Sequence, residues 1–307
     1  MNEYFNTRGS FRRTSDSINH RIGYVRIFRI IDALGRGCKS PVQVALELHP
    51  KWSGMLGCDG KVIKIRGREW ALLMAVDLGT QDVVDFRLVK HEDYPSIEPF
   101  LREVSDKIGY EPKEIVIDLD PAWKEAVGSV FPYTPIQLCV VHFERIVDRT
   151  IPKLKRTPKQ MELKKMVRSV LYAKTEDEAR SAFEELMKKR SRFRDKKSRY
   201  VLRSLRENLG LLITHFRVRG SFRSNNITES VNDKIEMKLK MIRGYKKVRK
   251  AIHSLNLVVM HYRFKPFSSC KNKNHNGKSP LNLAGINTNR IDWIRHSQKN
   301  QSVLNQL

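Results

Sequence analysis

Three acidic residues stand where carboxylates could do chemistry. Asp59 lies immediately before a strand-like run in GCDGKVIKI, Asp118 ends EIVID, and Glu229 falls within SNNITESVND. A carboxylate beside buried aliphatic residues is costly to desolvate unless something partners it. Two of them on adjacent strands would make a cation site, and Mg2+ wants hard oxygen ligands, usually few of them from protein. Each aspartate also has a plainer reading as a turn cap, and Asp59-Gly60 is a good turn dipeptide. Glu229 adds weight to the cation reading. With Asn225 and either Asn232 or Asp233 it makes a polar stripe, spaced by three and four, where a helix begins near Asn226. Such a stripe normally faces solvent. Here it follows a basic break and precedes a basic helix, so a phosphate-binding cleft is the alternative.

A second feature is CVVH, residues 139–142. Cys139 and His142 could share a metal, or they could be two core residues at the end of a buried strand. No second pair at ligand spacing follows, and the nearest candidates, His215 and Cys270, are remote, which disfavours a structural zinc module. No Ser-His-Asp or Cys-His nucleophile arrangement can be placed.

The elements that must position these residues are legible from hydrophobic patterning. KVIKI (61–65), EWALLMAVDL (69–78) and DVVDFRLVK (82–90) read as three strands joined by turn-like segments. The second is almost continuously apolar, as expected of a strand covered on both faces. An amphipathic helix over 96–109, a strand over 114–118, a proline-opened helix over 121–131 and a fifth strand over 135–141 follow. The order β-β-β-α-β-α-β predicts an α/β fold with a mixed sheet and helices on its faces. Residues 143 to about 215 are helix-rich and basic, 219–226 are a polar break, and 228–240 and 245–262 are again helical. Upstream, IFRIIDALGRG (27–37) and the segment capped by Ser40 with Pro41 at its first position read as two short helices. They fit packing helices or a short helix-turn-helix.

Composition narrows the class. The 307 residues are 40% hydrophobic, enough for one sizeable core with appendages or two modest domains. The net charge of +26 points to a polyanionic partner, since Lys and Arg neutralise phosphates and release counterions. The charge is uneven: 59–144 carry 10 Lys/Arg against 16 Asp/Glu, net −6, whereas 145–250 carry 32 against 12, net +20. One part concentrates carboxylates and the other grips phosphates. There is no 18-residue apolar run of the kind that spans a membrane and no secretory signal pattern. Four widely spaced cysteines, Cys38, Cys58, Cys139 and Cys270, without a CxxC, fit a reducing intracellular setting.

In three blocks the sequence resembles the DDE transposases of the RNase H-like superfamily, in particular the Mutator-like group and its prokaryotic insertion-sequence relatives. They are DGKVIKIRGREWALLMAVDLGTQDVVDF, IVIDLDPAWKEAVGSVFPYTPIQLCVVHFERIV and SNNITESVNDKIEMKLKMIRGYKKV, within roughly 57–265. The resemblance implies an RNase H-like mixed five-stranded sheet flanked by helices, with strands one and four neighbours and a basic all-α insertion before the last catalytic helix. It implies Asp59, Asp118 and Glu229 as catalytic carboxylates and metal ligands. Asp120 and Asp77 are acidic neighbours in less suitable places, and Leu119 departs from the glycine that many relatives carry. Cys139 and His142 match a Cys-x2-His signature of the group and, with Asn225 and Asn226, are expected beside the site.

The domains expected are a basic helical region over 1–56, the first part of the catalytic core over 57–144, the basic insertion over 145–220, the last core helices over 221–266 and a polar tail over 267–307. The reaction implied is cleavage of phosphodiester bonds at transposon ends and joining of the 3′-OH ends to target DNA, with Mg2+ or Mn2+, as two ions. The partners implied are double-stranded DNA, at terminal repeats and target, and further copies of the chain as a dimer or higher oligomer, in the cytoplasm or nucleoid of a prokaryote with no membrane contact. Expected DNA contacts are Lys153, Lys155, Arg156, Lys164, Lys165, Arg217, Arg219, Arg223, Arg243, Lys246 and Lys247. Tyr200, Phe216, Phe222 and Tyr245 are aromatics among cations that could stack on unpaired bases or be core. The rival readings are a truncated or domesticated transposase that only binds DNA, suggested by the short region before the first block, and a metal-dependent nuclease of the same fold.

Overall fold

The computed structural model describes residues 4–5, 9–240, 245–270 and 272–300, apart from the side chains of Lys155 and Lys240. In chain order the helices and strands are α1 (Phe11–Ser17), α2 (Tyr24–Gly37), α3 (Pro41–Leu48), β1 (Met55–Ile65), β2 (Arg68–Asp77), β3 (Asp82–Val89), α4 (Tyr94–Arg102), β4 (Glu114–Ile117), α5 (Pro121–Val130), β5 (Ile136–Leu138) and α6 (Val140–Thr150). Then come α7 (Pro158–Leu171), α8 (Glu176–Lys188), α9 (Lys196–Leu212), α10 (Asn226–Lys240), α11 (Val248–Phe264), α12 (Pro280–Leu283) and α13 (Trp293–Ser297). They fall into two compact units: Met1–Gly54, Cys58–Glu111 and Ile227–Leu307 form the first, and Met55–Gly57 with Pro112–Asn226 form the second. No helix among the described residues is long and apolar enough to cross a membrane.

The sheet has five strands in the order β3-β2-β1-β4-β5. β2 and β3 run antiparallel, whereas β1 pairs in parallel with β4 from Met55↔Glu114 to Gly57↔Val116, and β4 in parallel with β5 from Ile115↔Ile136 to Ile117↔Leu138. This is the mixed five-stranded sheet expected, with strands one and four adjacent. Parallel pairs need a crossover, which explains why α5 separates β4 from β5. β2 is buried without a break from Ala71 to Asp77, as its apolar run predicted.

Three expected boundaries beside candidate site residues differ, the first because β4 stops at Ile117, so Asp118 follows the strand instead of ending it. β1 starts at Met55, so Asp59 sits within the strand rather than before it. Gly57 and Gly60 weaken the local strand signal, yet pairing with β4 and burial of Met55, Leu56 and Cys58 extend the strand upstream. The fifth strand stops at Leu138, and Cys139 is the N-cap residue of α6, so CVVH opens a helix instead of ending a strand. Val140 and Val141 are β-branched and mimic a strand, but Val140, Phe143 and Val147 are buried at helical spacing.

The core of the first unit gathers α2, α10, α11 and the strand side chains of β1–β3. α2 approaches α11 so closely at Gly35 that a Cβ there would lie 2.4 Å from the His253 carbonyl oxygen, so only glycine fits. Tyr245 belongs to this core at 5% exposure, which removes it from the candidate stacking residues. In the same unit the fully buried Arg263 donates from Nε and Nη2 to the two carboxylate oxygens of Asp82, both at 2.8 Å, and the Trp52 indole N–H donates to Asp82 at 3.0 Å. Breaking a buried pair from one side strands the other charge and costs about 3–5 kcal/mol. Asp82→Ala should therefore lower stability by that order, and adding Arg263→Met should restore much of the loss. Urea unfolding of the two variants measures this; an unchanged midpoint for Asp82→Ala would rule out the role given to the pair.

Candidate active site

Asp118 follows directly on the last residue of β4, whose four residues are all buried, while its own side chain is partly exposed. The Cys139 amide donates to the Ile117 carbonyl at 2.8 Å, so the start of α6 is tied to the end of β4. His142, one turn into α6, places Nδ1 2.7 Å from Asp118 Oδ1. Asp118, Cys139 and His142 together bring an oxygen, a sulfur and a nitrogen within 4.8 Å of one another. The Asn225 amide donates to Cys139 Sγ at 3.2 Å, and the Val140 amide donates to the Arg223 carbonyl at 3.0 Å. Thus 223–225, in the polar break before α10, closes over the first turn of α6. Asn225 is buried and Asn226 exposed.

Burial alone would lower the pKa of His142. Its contacts with Asp118 and Cys139 and the Asp118 charge outweigh that and push it up to about 10. His142 is therefore an imidazolium at neutral pH, paired with the Asp118 carboxylate.

The first unit holds Asp59 and Glu229. The Asn232 side-chain amide donates to Asp59 Oδ2 at 2.8 Å, which ties α10 to β1. Lys61 lies 3.2 Å from Asp233 and 3.8 Å from Glu236 on the same helix. Glu229, in the first turn of α10, is partly exposed. Glu92, which the sequence does not single out, sets its carboxylate against Gly60, where an added Cβ would meet Oε1 at 2.0 Å. Asp59 and Asp118 each lie two residues past the Gly57↔Val116 pair that ends the β1–β4 ladder.

The neighbouring acids have other employment. Asp77 accepts from the Ser53 and Gly54 amides, the Ser53 and Thr80 hydroxyls, the Thr80 amide and the Tyr110 hydroxyl. It is fully buried and saturated. Asp120 caps α5 by accepting from the Ala122 amide at 2.8 Å. Asp59 and Glu229 in the first unit and Asp118 in the second each offer hard carboxylate oxygens, the donor type that Mg2+ or Mn2+ takes.

The cations expected to meet DNA divide into paired and exposed groups. Arg156 and Lys164 both bind Asp148, and Arg217 makes a two-point pair with Glu176 at 2.9 and 2.5 Å. Lys153, Lys165, Arg219, Arg223, Lys246 and Lys247 are exposed. Arg243 and the Lys155 side chain lie outside the described residues. Arg156, Lys164 and Lys165, with Arg168, Met161, Ser169 and Tyr172, line a cavity of about 450 Å3. A second, of about 560 Å3, takes in Tyr172, Lys174, His215, Phe216, Phe222 and Arg223. Tyr172 joins the two, with the Arg168 and Arg223 guanidinium carbons 5.4 and 5.1 Å from its ring centre. The sequence reading passed over Tyr172; an aromatic directly after an Arg- and Lys-rich helix was the available signal. Tyr200 is exposed beside Arg203.

The family model described as "Transposase, Mutator family" matches residues 47–266. Among solved structures, the magnesium complex of the HTLV-2 integrase catalytic core domain in dimeric form is 17% identical and aligns over 40% of this chain and 88% of that one, with a TM-score of 0.24. The simian T-cell lymphotropic virus intasome in complex with PP2A regulatory subunit B56 gamma is 14% identical, over 41% of this chain and 50% of that one, with a TM-score of 0.25. No curated protein matches the chain.

The Asp118–His142 pair has a pH signature. The His142 pKa is raised above its ordinary 6.5, so the pair's stabilisation is complete below about pH 6.5 and is lost as pH rises through about 10. In NMR titrations His142 should keep its proton at pH 8, and Asp118→Asn should move its midpoint down towards neutrality. A wild-type midpoint near 6.5 would contradict the pairing.

Proposed function

The chain belongs to the Mutator family of transposases, and from that membership we propose that it cuts DNA at transposon ends and joins the freed 3′-OH ends to target DNA, with Asp59, Asp118 and Glu229 as the metal-binding carboxylates. The observation that carries this reading is the equal offset of Asp59 and Asp118 past one parallel ladder, each on the chain directly after a buried strand segment. In open α/β sheets, ligands bind beyond the carboxyl ends of parallel strands.

Mg2+ or Mn2+, proposed as two ions, would activate a water or 3′-hydroxyl and neutralise the leaving oxygen of an in-line displacement. The chain's own residues have separable tasks. Asn232 holds one oxygen of Asp59 and fixes the rotamer of that carboxylate. His142 fixes Asp118 in the same way. Glu229, in the first turn of α10, supplies the third carboxylate, one turn before Asn232 on the same helix.

The proposed partner is double-stranded DNA, at terminal repeats and target, inside a prokaryotic cell, with two or more copies of the chain on paired ends. The exposed Lys153, Lys165, Arg219, Arg223, Lys246 and Lys247 are the proposed phosphate contacts. Arg156, Lys164 and Arg217 would act by shaping the basic surface, since each already has a carboxylate partner.

Asp59→Asn, Asp118→Asn and Glu229→Gln should each reduce Mg2+-dependent cleavage of terminal-repeat DNA on the order of a thousandfold or more. DNA binding, read by electrophoretic mobility shift, should stay near wild type. Wild-type cleavage by any of the three would remove that residue from the site. Lys165→Ala with Arg219→Ala should weaken binding to all sequences alike and reduce the slope of log affinity against log salt by about 2. An unchanged slope would place the DNA elsewhere.

A further inference from the structure

We propose that Asp118, Cys139 and His142 form a three-ligand site for a borderline divalent cation, with Zn2+ the fitting ion. This site is chemically distinct from one made of carboxylates alone. Its three ligands lie wholly within the second unit; it shares Asp118 with the carboxylate set proposed above, so an ion bound here competes for that side chain.

The geometry is close to what such an ion needs. The three candidate ligand atoms lie within 4.8 Å of one another. Around a tetrahedral Zn2+ with bonds of ~2.0–2.3 Å, ligand atoms sit roughly 3.3–3.8 Å apart. The 2.7 Å contact between His142 and Asp118 must open to that spacing, with the His142 proton released to solvent as the ion binds, while the backbone carrying the ligands is already tied together. The Cys139 amide is bonded to the Ile117 carbonyl, next to Asp118, and His142 follows one turn along α6.

The surroundings suit a ligated sulfur. The buried Asn225 amide points its N–H at Cys139 Sγ at 3.2 Å, an outer hydrogen bond of the kind that orients a metal ligand. Cys139 is fully buried, whereas the Asp118 and His142 side chains keep 23% and 21% of their exposure. An ion would thus enter from solvent past the carboxylate and imidazole, with the sulfur at the floor.

The donor types decide the ion. Sulfur, imidazole nitrogen and one carboxylate oxygen favour Zn2+ over Mg2+, which prefers oxygen ligands throughout. Three protein ligands leave a fourth position for water or another group, as in open zinc sites rather than closed structural ones. The third ligand is no second Cys-His pair but an aspartate that directly follows β4.

The test uses the full-length, metal-free protein titrated anaerobically with Co2+, a spectroscopic stand-in for Zn2+. One equivalent should produce tetrahedral visible bands and a near-ultraviolet thiolate-to-cobalt charge-transfer band, and Zn2+ should displace both. Cys139→Ser should abolish the charge-transfer band, and Cys270→Ala should leave it intact. Asp118→Asn and His142→Ala, both at partly exposed positions, should each weaken Co2+ binding by at least 10–100-fold, which keeps the test decisive if Cys139→Ser misfolds. The proposal is overturned if no charge-transfer band forms, if the band survives in Cys139→Ser, or if the Asp118 and His142 variants bind Co2+ as the wild type does.

Discussion

The parallel ladder of β1, β4 and β5 is the constraint on which the other elements depend. A parallel pair cannot be closed by a tight turn, so the chain must travel away and return between its strands. Between β1 and β4 it does so through β2, β3 and α4, and between β4 and β5 through α5. Because the three strands run the same way, the residues that follow their pairing leave in one direction. Asp118 follows β4, Cys139 follows β5, and Asp59 lies two residues past the paired part of β1. Asp118 and Cys139 thus stand where the parallel pairing of β4 and β5 ends and their backbone groups turn to other partners, whereas Asp59 remains within β1.

How much of this could be read from sequence depended on the range of the interaction that decides each residue. The apolar run of β2, the amphipathic helices and the Ser40 cap with Pro41 are local patterns, and they were legible. The cap is a full capping box, with Gln43 answering Ser40. Asp59 was misplaced because two glycines mask a strand that exists through its partner β4. CVVH reads as a strand because valines at a helix start look like one; the helix is declared by Val140, Phe143 and Val147, buried at helical spacing. Asp77 accepts from six donors drawn from three regions of the chain, an arrangement with no sequence signature. Tyr172 carries only half its signal locally: Arg168 precedes it by four residues, whereas Arg223 comes from a distant segment.

The acidic residues within the basic block act as organisers more than as stabilisers. Asp148 gathers Arg156 and Lys164, Glu176 gathers Arg180 and Arg217, and Glu144 gathers Arg168 and the Tyr172 hydroxyl. Exposed ion pairs contribute little to folding free energy. They do restrict long side chains to particular directions, so the cations project from the helices in fixed relative positions. The Tyr172 hydroxyl is itself held in its neutral form, since burial and the Glu144 carboxylate push its pKa up to about 12. The ring thus presents an uncharged face among positive charges.

The buried Asp82–Arg263 pair sets an order of events during synthesis. The partners are 181 residues apart, with the whole main segment of the second unit encoded between them. At translation rates of ~5–20 residues per second, Asp82 waits roughly 10–40 s for its guanidinium. Over that interval the first unit cannot close its core, whereas the elements of the second unit have already been made. The nascent chain must therefore hold its strands with the first unit's core uncovered until α11 emerges, and the tolerance of this protein for slow or interrupted translation rests on how well that waiting intermediate is shielded.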